Sequence, residues 1–290
     1  MRHTTKLREM LRRPGILAVP GIYDAFTARI AVAAGFEAVY MTGSGSSTSL
    51  LGKPDVGLLT MTEMTNNAAR IVEAVNTPVI ADADTGYGNA VNLIRTLHEY
   101  ERAGVAAVHI EDQVIPKKCG HMEGKRLVSV EEMVGKIRAA VEARRDPDFI
   151  IIARTDARSV LGFDETVHRA SRYAQAGADM IFGEALQSRE ELSEFANKVK
   201  VPLFTDSTEW GKTPLLTTKE LEELGYKIVI FSTAALRVVH KAVEDLMKEL
   251  RLKGTQIHYL DRMKTRQETY ELIGYPEFKD LENRYLPPEG

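Results

Sequence analysis

The chain has 290 residues, 44% of them apolar, and a formal net charge of −3 from 38 basic and 41 acidic side chains. That length allows one large domain or two small ones with a sizeable core, and small, interspersed charge argues against a nucleic-acid or acidic-membrane binder. A single cysteine excludes an internal disulfide framework, and no apolar run approaches the roughly 20 residues of a membrane span. Residues 1–15 are basic but lead into no apolar signal core, so a cytoplasmic protein is expected.

In chain order, short apolar runs recur: ILAVPG, AVYMTG, PVIADAD, AVHIED, FIIIARTDA, MIFGEA, PLFTDS and KIVIFS. Apolar residues run on in each without alternating, the signature of a strand buried on both faces. The segments AFTARIAVAAG, MTNNAARIVEAV, AVNLIRTLHEYERAG and EEMVGKIRAAVEARR between them have helical periodicity. Gly35, Gly104, Gly177 and Gly225 each stand two residues before a run, where a positive φ ends a helix and turns the chain into the strand. Ser129 with Glu132, Ser188 with Glu191 and Thr217 with Glu220 have capping-box spacing. Eight strand–helix units without a linker predict an α/β fold, one (β/α)8 barrel over residues 1–290, with an open doubly wound sheet as the rival. Residues from about 240, and 260–290 above all, form an extra helical segment whose apolar positions need a partner surface.

Barrel function gathers at the C-terminal ends of strands, and here these ends are acidic. DADTGYG supplies Asp82 and Asp84, two apart and so on one side of an extended strand. HIED supplies His109, Glu111 and Asp112; ARTDAR supplies Arg154, Asp156 and Arg158; Glu184 and Asp206 close the sixth and seventh runs. Converging carboxylates repel unless they share a cation, and an all-oxygen set suits Mg2+. Single acids at such ends also cap helices or pair with arginines; the set Asp82, Asp84 and Glu111 favours a metal. Scattered histidines and one cysteine match no zinc spacing. The glycines of MTGSGSS leave backbone N–H groups for an anion. Arg154 follows a buried strand and needs an anionic partner. In PKKCGHMEGK the lone thiol, Cys119, lies among Lys117, Lys118 and His121, cations expected to lower its pKa. The alternative is an incidental surface cysteine.

DADTGYG, HIEDQ, PKKCGH, ARTDA and TEWGKTP, in this order and spacing, resemble the isocitrate lyase and phosphoenolpyruvate mutase superfamily over essentially the whole chain. Within it the pattern is most similar to the methylisocitrate lyases, 2,3-dimethylmalate lyases and carboxyphosphonoenolpyruvate mutases. The resemblance implies a barrel whose last helix is swapped between subunits of a tetramer, and Mg2+ (or Mn2+) held largely through water by Asp82, Asp84 and Glu111, with Asp55 nearby. It places Thr42, Gly43 and Ser44 on a substrate carboxylate, with Lys117, Gly120, His121, Arg154, Glu184 and Asp206 also in the site. It makes Cys119, on a mobile loop, the general acid, and Tyr40 a candidate base. The implied partner is a 2-hydroxy di- or tricarboxylate. The implied reaction is metal-dependent carbon–carbon cleavage, foremost of 2-methylisocitrate to pyruvate and succinate, in propionate metabolism.

Four residues at three places depart from the lyase pattern: Gly183 where proline is usual, Asp206 for asparagine, and Phe231-Ser232 for Tyr-Pro. An added charge at Asp206 is expected to weaken tricarboxylate binding. A dimethylmalate-type lyase, a phosphonomutase and an oxaloacetate decarboxylase therefore stay open, as does a catalytically silent barrel. Cys119 speaks against the decarboxylases, which typically lack it.

Overall fold

Strands β1 (Leu17–Ile22), β2 (Val39–Met41), β3 (Val79–Asp82), β4 (Ala107–Glu111), β5 (Ile150–Thr155), β6 (Met180–Gly183), β7 (Leu203–Asp206) and β8 (Ile228–Phe231) pair in parallel in sequential order. β1 also pairs with β8, Leu17 opposite Ile228 through Pro20 opposite Phe231, and closes the ring. The barrel is therefore as expected, and the open sheet is excluded. These features come from a computed structural model that describes residues 1–286; residues 287–290 of the expected C-terminal segment lie outside the described residues.

Among the described residues twelve α-helices accompany the strands: α1 (His3–Arg12), α2 (Ala25–Ala33), α3 (Gly43–Leu51), α4 (Met61–Ala74), α5 (Ala90–Ala103), α6 (Val130–Ala143), α7 (Phe163–Gln175), α8 (Arg189–Lys198), α9 (Thr218–Glu223), α10 (Ala234–Lys253), α11 (Arg266–Leu272) and α12 (Tyr275–Tyr285). Alternate strand residues face two cores. Val19, Tyr40, Ile80, Ile152, Phe182, Phe204 and Ile230 fill the barrel. Met41, Ala81, Ile151 and Val229 face outward onto Met64, Leu97, Ile137, Tyr173 and Phe195 of the surrounding helices. With both faces covered, the strands carry no polar alternation.

Three local expectations are corrected. The four glycines do hold left-handed backbone, φ 84 to 105, but three or four residues before their strands rather than two. Of the three capping boxes only Thr217/Glu220 is reciprocal. Ser129 and Ser188 each accept from the N3 amide alone, and Glu191 instead grips the Arg158 guanidinium at 2.6 and 2.8 Å. The MTGSGSS stretch is not an open loop but the start of α3.

The barrel floor is closed by α1, a helix not anticipated from periodicity. Its Leu7 is fully buried and Met10 nearly so against the strand starts. Thr4 and Thr5 donate to Asp146 and Asp148 at 2.7 and 2.6 Å, and Arg8 pairs with Asp179 at 2.9 Å. At the other end of the chain, α10 contains no buried residue and exposes Val238, Val243, Met247 and Leu252. Among the described residues no helix is long and apolar enough to cross a membrane. Leu7→Ala should cost about 2–5 kcal/mol, the usual range for emptying a filled core position, read as a lower midpoint in urea unfolding.

Candidate active site

The acids sit at the C-terminal mouth, as barrel geometry requires, but they do not converge by strand alternation alone. Asp84 has φ 47, so the chain leaves the strand immediately after Asp82. The Asp84 amide then donates to Asp82 Oδ1 at 2.9 Å. Asp82 Oδ2 accepts from the Gly43 amide at 3.2 Å, which ties the N-terminus of α3 to β3. Gly45 N–H goes to Thr42 Oγ1. Two of the amides expected to be free for an anion are thus already in use. A side chain at Gly43 would collide with the Asp82 carboxylate, so glycine is needed there.

Three buried cations are spread among the acids. Lys117 Nζ lies between Asp55 Oδ1 and Asp84 Oδ1, at 2.5 and 2.7 Å. Burial opposes its charge, but Asp84, Glu111 and Asp55 outweigh that and push its pKa well up. Arg154 grips Asp156 with two bonds of 3.0 and 3.1 Å. It also reaches Glu111 at 3.3 Å and Glu184 at 3.6 Å, while its guanidinium lies 5.3 Å from the Phe182 ring. Lys125 Nζ contacts Asp156 Oδ1 at 2.9 Å and the Gly120 carbonyl; its position was not anticipated, because no local pattern marks it. Two strand-end residues are structural. Asp112 accepts from Thr155, the Asp156 amide, Arg169 and Tyr173, and Arg158 pairs outward with Glu191.

Among the described residues no three His, Cys, Asp or Glu side chains close on one point as a direct metal cage would. Glu111 Oε1 is nevertheless buried without a partner, while Glu111 Oε2 meets only the Arg154 guanidinium and Asp84 Oδ1 only Lys117. Burial pushes Glu111 well above the usual carboxylate range despite Arg154. It pushes Asp84 up to about 6, with Lys117 opposing. A bare buried oxygen on Glu111, beside the acids Asp82 and Asp84, fits a hard divalent cation contacted partly through water.

A cavity of about 120 Å3, sized for a small acid, opens above these groups. Tyr40, Thr42, Ser44, Asp55 and Asp82 line one side, and Arg154, Glu184 and Asp206 another, with Cys119, Gly120 and His121 contributed by the loop. Most of the anticipated site residues therefore meet at one cavity; Asp84, Glu111 and Lys117 lie behind it. Thr208, Glu209, Trp210, Ser232, Thr233 and Arg237 complete the wall. Of these, Thr208, Glu209, Trp210 and Ser232 stood in quoted motifs but carried no assigned role.

The expectation for the thiol is corrected. Cys119 is half-buried, and burial raises its pKa, with the charges of Asp55 and Glu184 adding to the rise and a His121 backbone bond opposing it. The lysine expected to lower it, Lys117, is committed to carboxylates. Tyr40, the candidate base, is bonded to His109 Nε2 at 2.7 Å. Burial and the Asp82 charge push its phenol well up, so it holds its proton. His109 is buried and shifted down by that burial, hence neutral. His121 bridges elements, its ring accepting from the Lys212 amide at 3.2 Å and lying 3.2 Å from Glu184. Asp206 accepts from Ser232 Oγ at 2.7 Å and is pushed up to about 7, by burial and then by Glu184.

The profile of the phosphoenolpyruvate phosphomutase family matches residues 7–251. The chain is 50% identical to the 2,3-dimethylmalate lyase of Eubacterium barkeri over 285 residues, 98% of this chain and 99% of that one. It is 51% identical to a 2-methylisocitrate lyase of Aeropyrum pernix over 273 residues, 94% of this chain and 88% of that one. A solved phosphonopyruvate hydrolase bound to oxalate and Mg2+ is 32% identical, with TM-score 0.90 and coverage of 99% and 100%. The barrel, the acid-lined mouth and these likenesses agree: the chain belongs to the phosphoenolpyruvate phosphomutase family, and is an enzyme of the isocitrate lyase and phosphoenolpyruvate mutase superfamily.

Proposed function

We propose that the chain is a divalent-metal-dependent carbon–carbon lyase, with 2-methylisocitrate cleaved to pyruvate and succinate as the leading reaction. The observation that carries this reading is Cys119: the sole thiol lines the same acid-rich cavity as Arg154 and Asp82. Asp82, Asp84 and Glu111 would hold Mg2+, or Mn2+ in its place; when bound, such an ion polarises a 2-hydroxyl and its neighbouring carboxylate. Arg154 and the start of α3 at Thr42–Ser44 receive substrate carboxylates. A carboxylate of the acid-lined cavity takes the 2-hydroxyl proton, the C2–C3 bond breaks as the C2 oxygen becomes the pyruvate carbonyl, and its electron pair stays on the succinate carbon. Cys119 supplies the proton to that carbon. A pKa raised by burial suits this role, because the thiol stays protonated at neutral pH. Tyr40, protonated and anchored by His109, acts better as a hydrogen-bond donor to the reacting oxygen than as the base.

Asp206 favours a second reading, a lyase of dicarboxylates such as 2,3-dimethylmalate. The wall between β7 and β8 carries the Asp206 carboxylate and the hydroxyls of Thr208, Ser232 and Thr233. Its one arginine, Arg237, is drawn towards Glu209 at 3.4 Å and lies over Trp210. A third substrate carboxylate finds no unpaired cation there. We further propose a cytoplasmic homo-oligomer, a tetramer in the leading reading, in which neighbours cover the exposed apolar side chains of α10 and the segment after it.

Product analysis with Mg2+ on 2-methylisocitrate, isocitrate, 2,3-dimethylmalate and oxaloacetate tests the reaction. Chelation should abolish turnover and Mg2+ restore it; full activity after rigorous metal removal would sink the metal assignment. Cys119→Ser should fold normally and lose about 10²–10⁴-fold in kcat, the span of a general acid contribution. Near-wild-type turnover would reject the role. Light scattering at micromolar concentration should show an oligomer, and a monomer would refute the tail assignment.

Asp206 gives a pH test. Its folded pKa of about 7 lies above its unfolded value, so its contribution to stability is present at low pH and lost as pH rises through about 7. Asp206→Asn should therefore gain thermal stability relative to the parent between pH 5 and pH 8. An unchanged difference in Tm across that range would show that the group does not titrate there.

A further inference from the structure

Lys125 is a buried cation that the proposed reaction does not use. Its side chain is 1% exposed and belongs to the chain just after the Cys119 loop. Two acceptors share its ammonium: Asp156 Oδ1 at 2.9 Å and the carbonyl of Gly120, the residue next to the thiol. Asp156 is no isolated counter-ion. Its two oxygens already hold the Arg154 guanidinium at 3.0 and 3.1 Å, and its own amide is fixed on Asp112 at 2.9 Å. Lys125 shares the charge of Asp156 with Arg154, and what it adds besides is a link from that fixed carboxylate to the loop.

The loop is seated closely enough for the link to matter. A side chain at Gly120 would meet Arg154 Nη2 at 2.5 Å and Glu184 at 2.6 Å, so the backbone beside the thiol rests directly on the arginine and its partner. A second clamp acts on the near side: the Gln113 amide donates to the Lys118 carbonyl at 2.8 Å and accepts from the Lys118 N–H at 2.9 Å. Gln113 therefore fixes the entry to the loop, and Lys125 its exit.

We propose that Lys125 is the positioning residue of the Cys119 loop, its ammonium tying the backbone beside the thiol to the carboxylate that orients Arg154. As a role in catalysis this rests on the lyase reading; as a statement about the loop it does not. Two hydrogen bonds from one buried ammonium set the thiol and the arginine in a common frame, so that proton donor and substrate anchor keep their separation. Such precision is what near-attack geometry requires.

Cys119 is the only cysteine, so alkylation by iodoacetamide reports this loop alone and needs no substrate. In Lys125→Met, which keeps an unbranched apolar stem but loses charge and donors, the metal-free full chain should alkylate at least ~5-fold faster at pH 7.5, as thiolate fraction and access both rise. The pH midpoint should fall towards ~8.5, the ordinary thiol value. Lys125→Arg, which keeps the charge and donors, should restore most of the slow reaction. Should Lys125→Met fail to fold, Lys125→Gln, polar but too short to span both acceptors, is read in the same way. In the Mg2+-loaded enzyme, on whichever substrate product analysis identifies, kcat should fall ~10–100-fold with KM changed less than ~3-fold, as for a group acting on the transition state. A folded Lys125→Met or Lys125→Gln chain with the parent's alkylation rate and midpoint overturns the proposal, whatever the substrate. A parent that turns over none of the acids offered overturns the lyase reading and leaves the alkylation result to decide the role of Lys125 in the loop.

Discussion

Too many carboxylates for the available cations is the constraint on which the mouth of this barrel depends. Asp82, Asp84, Glu111, Asp156 and Glu184 are all buried; the cations buried with them are Arg154, Lys117 and Lys125. A buried charge without a partner is strongly destabilising, so the site settles the imbalance in two ways. Asp156, held by Arg154 and Lys125, is kept well below the usual carboxylate range even though burial opposes this. Glu111 and Asp84 are less well matched and are pushed upwards. Glu111 also keeps a buried oxygen, Oε1, with no partner. The same imbalance fixes the loop: Lys117 and Lys125 both point down into the acids, leaving the thiol between them under the influence of burial and carboxylates rather than of ammonium groups.

The barrel was legible because its signal is local and repeated. A strand covered on both faces is an apolar run, and FIIIARTDA reads as one whatever its neighbours. The acids at strand ends were legible for the same reason, since a chain-order position maps directly onto the mouth. What was not legible depends on which side chain meets which. Lys117 lies two residues from Cys119, yet its ammonium is on Asp55 and Asp84, so the thiol shifts opposite to what sequence adjacency implies. Gly43–Leu51, glycine- and serine-rich, has weak helix propensity. It is helical because Thr42 caps it and Asp82, from another strand, receives its first amide. Lys125 closes the PKKCGHMEGK stretch, but nothing there marks its partner; only the fold brings it to Asp156.

The departures from the lyase pattern have separate physical meanings. At Gly183 an added side chain would meet the Phe195 ring at 2.9 Å, so this change belongs to packing beneath β6, and Phe195 occupies the room. Asp206 and Ser232 change together in their hydrogen bonding: the hydroxyl donates to the carboxylate at 2.7 Å. That pair faces the cavity, where it alters what a ligand meets. Proximity in sequence to a site motif does not distinguish these cases, but the neighbour of each side chain does.

The floor of the barrel has a consequence for how the chain is made. α1 is synthesised before every strand of the barrel, yet its Arg8 finds Asp179 only 171 residues later, and Leu7 has no interior to enter until strands on both sides exist. β1 likewise waits for β8 before its second edge is paired. Loop closure over such separations must precede the contacts that reward it. During translation α1 is therefore an amphipathic segment whose Leu7 and Met10 face stays uncovered while the eight strands are made. The finished ring is a seam that the last strand sews to the first.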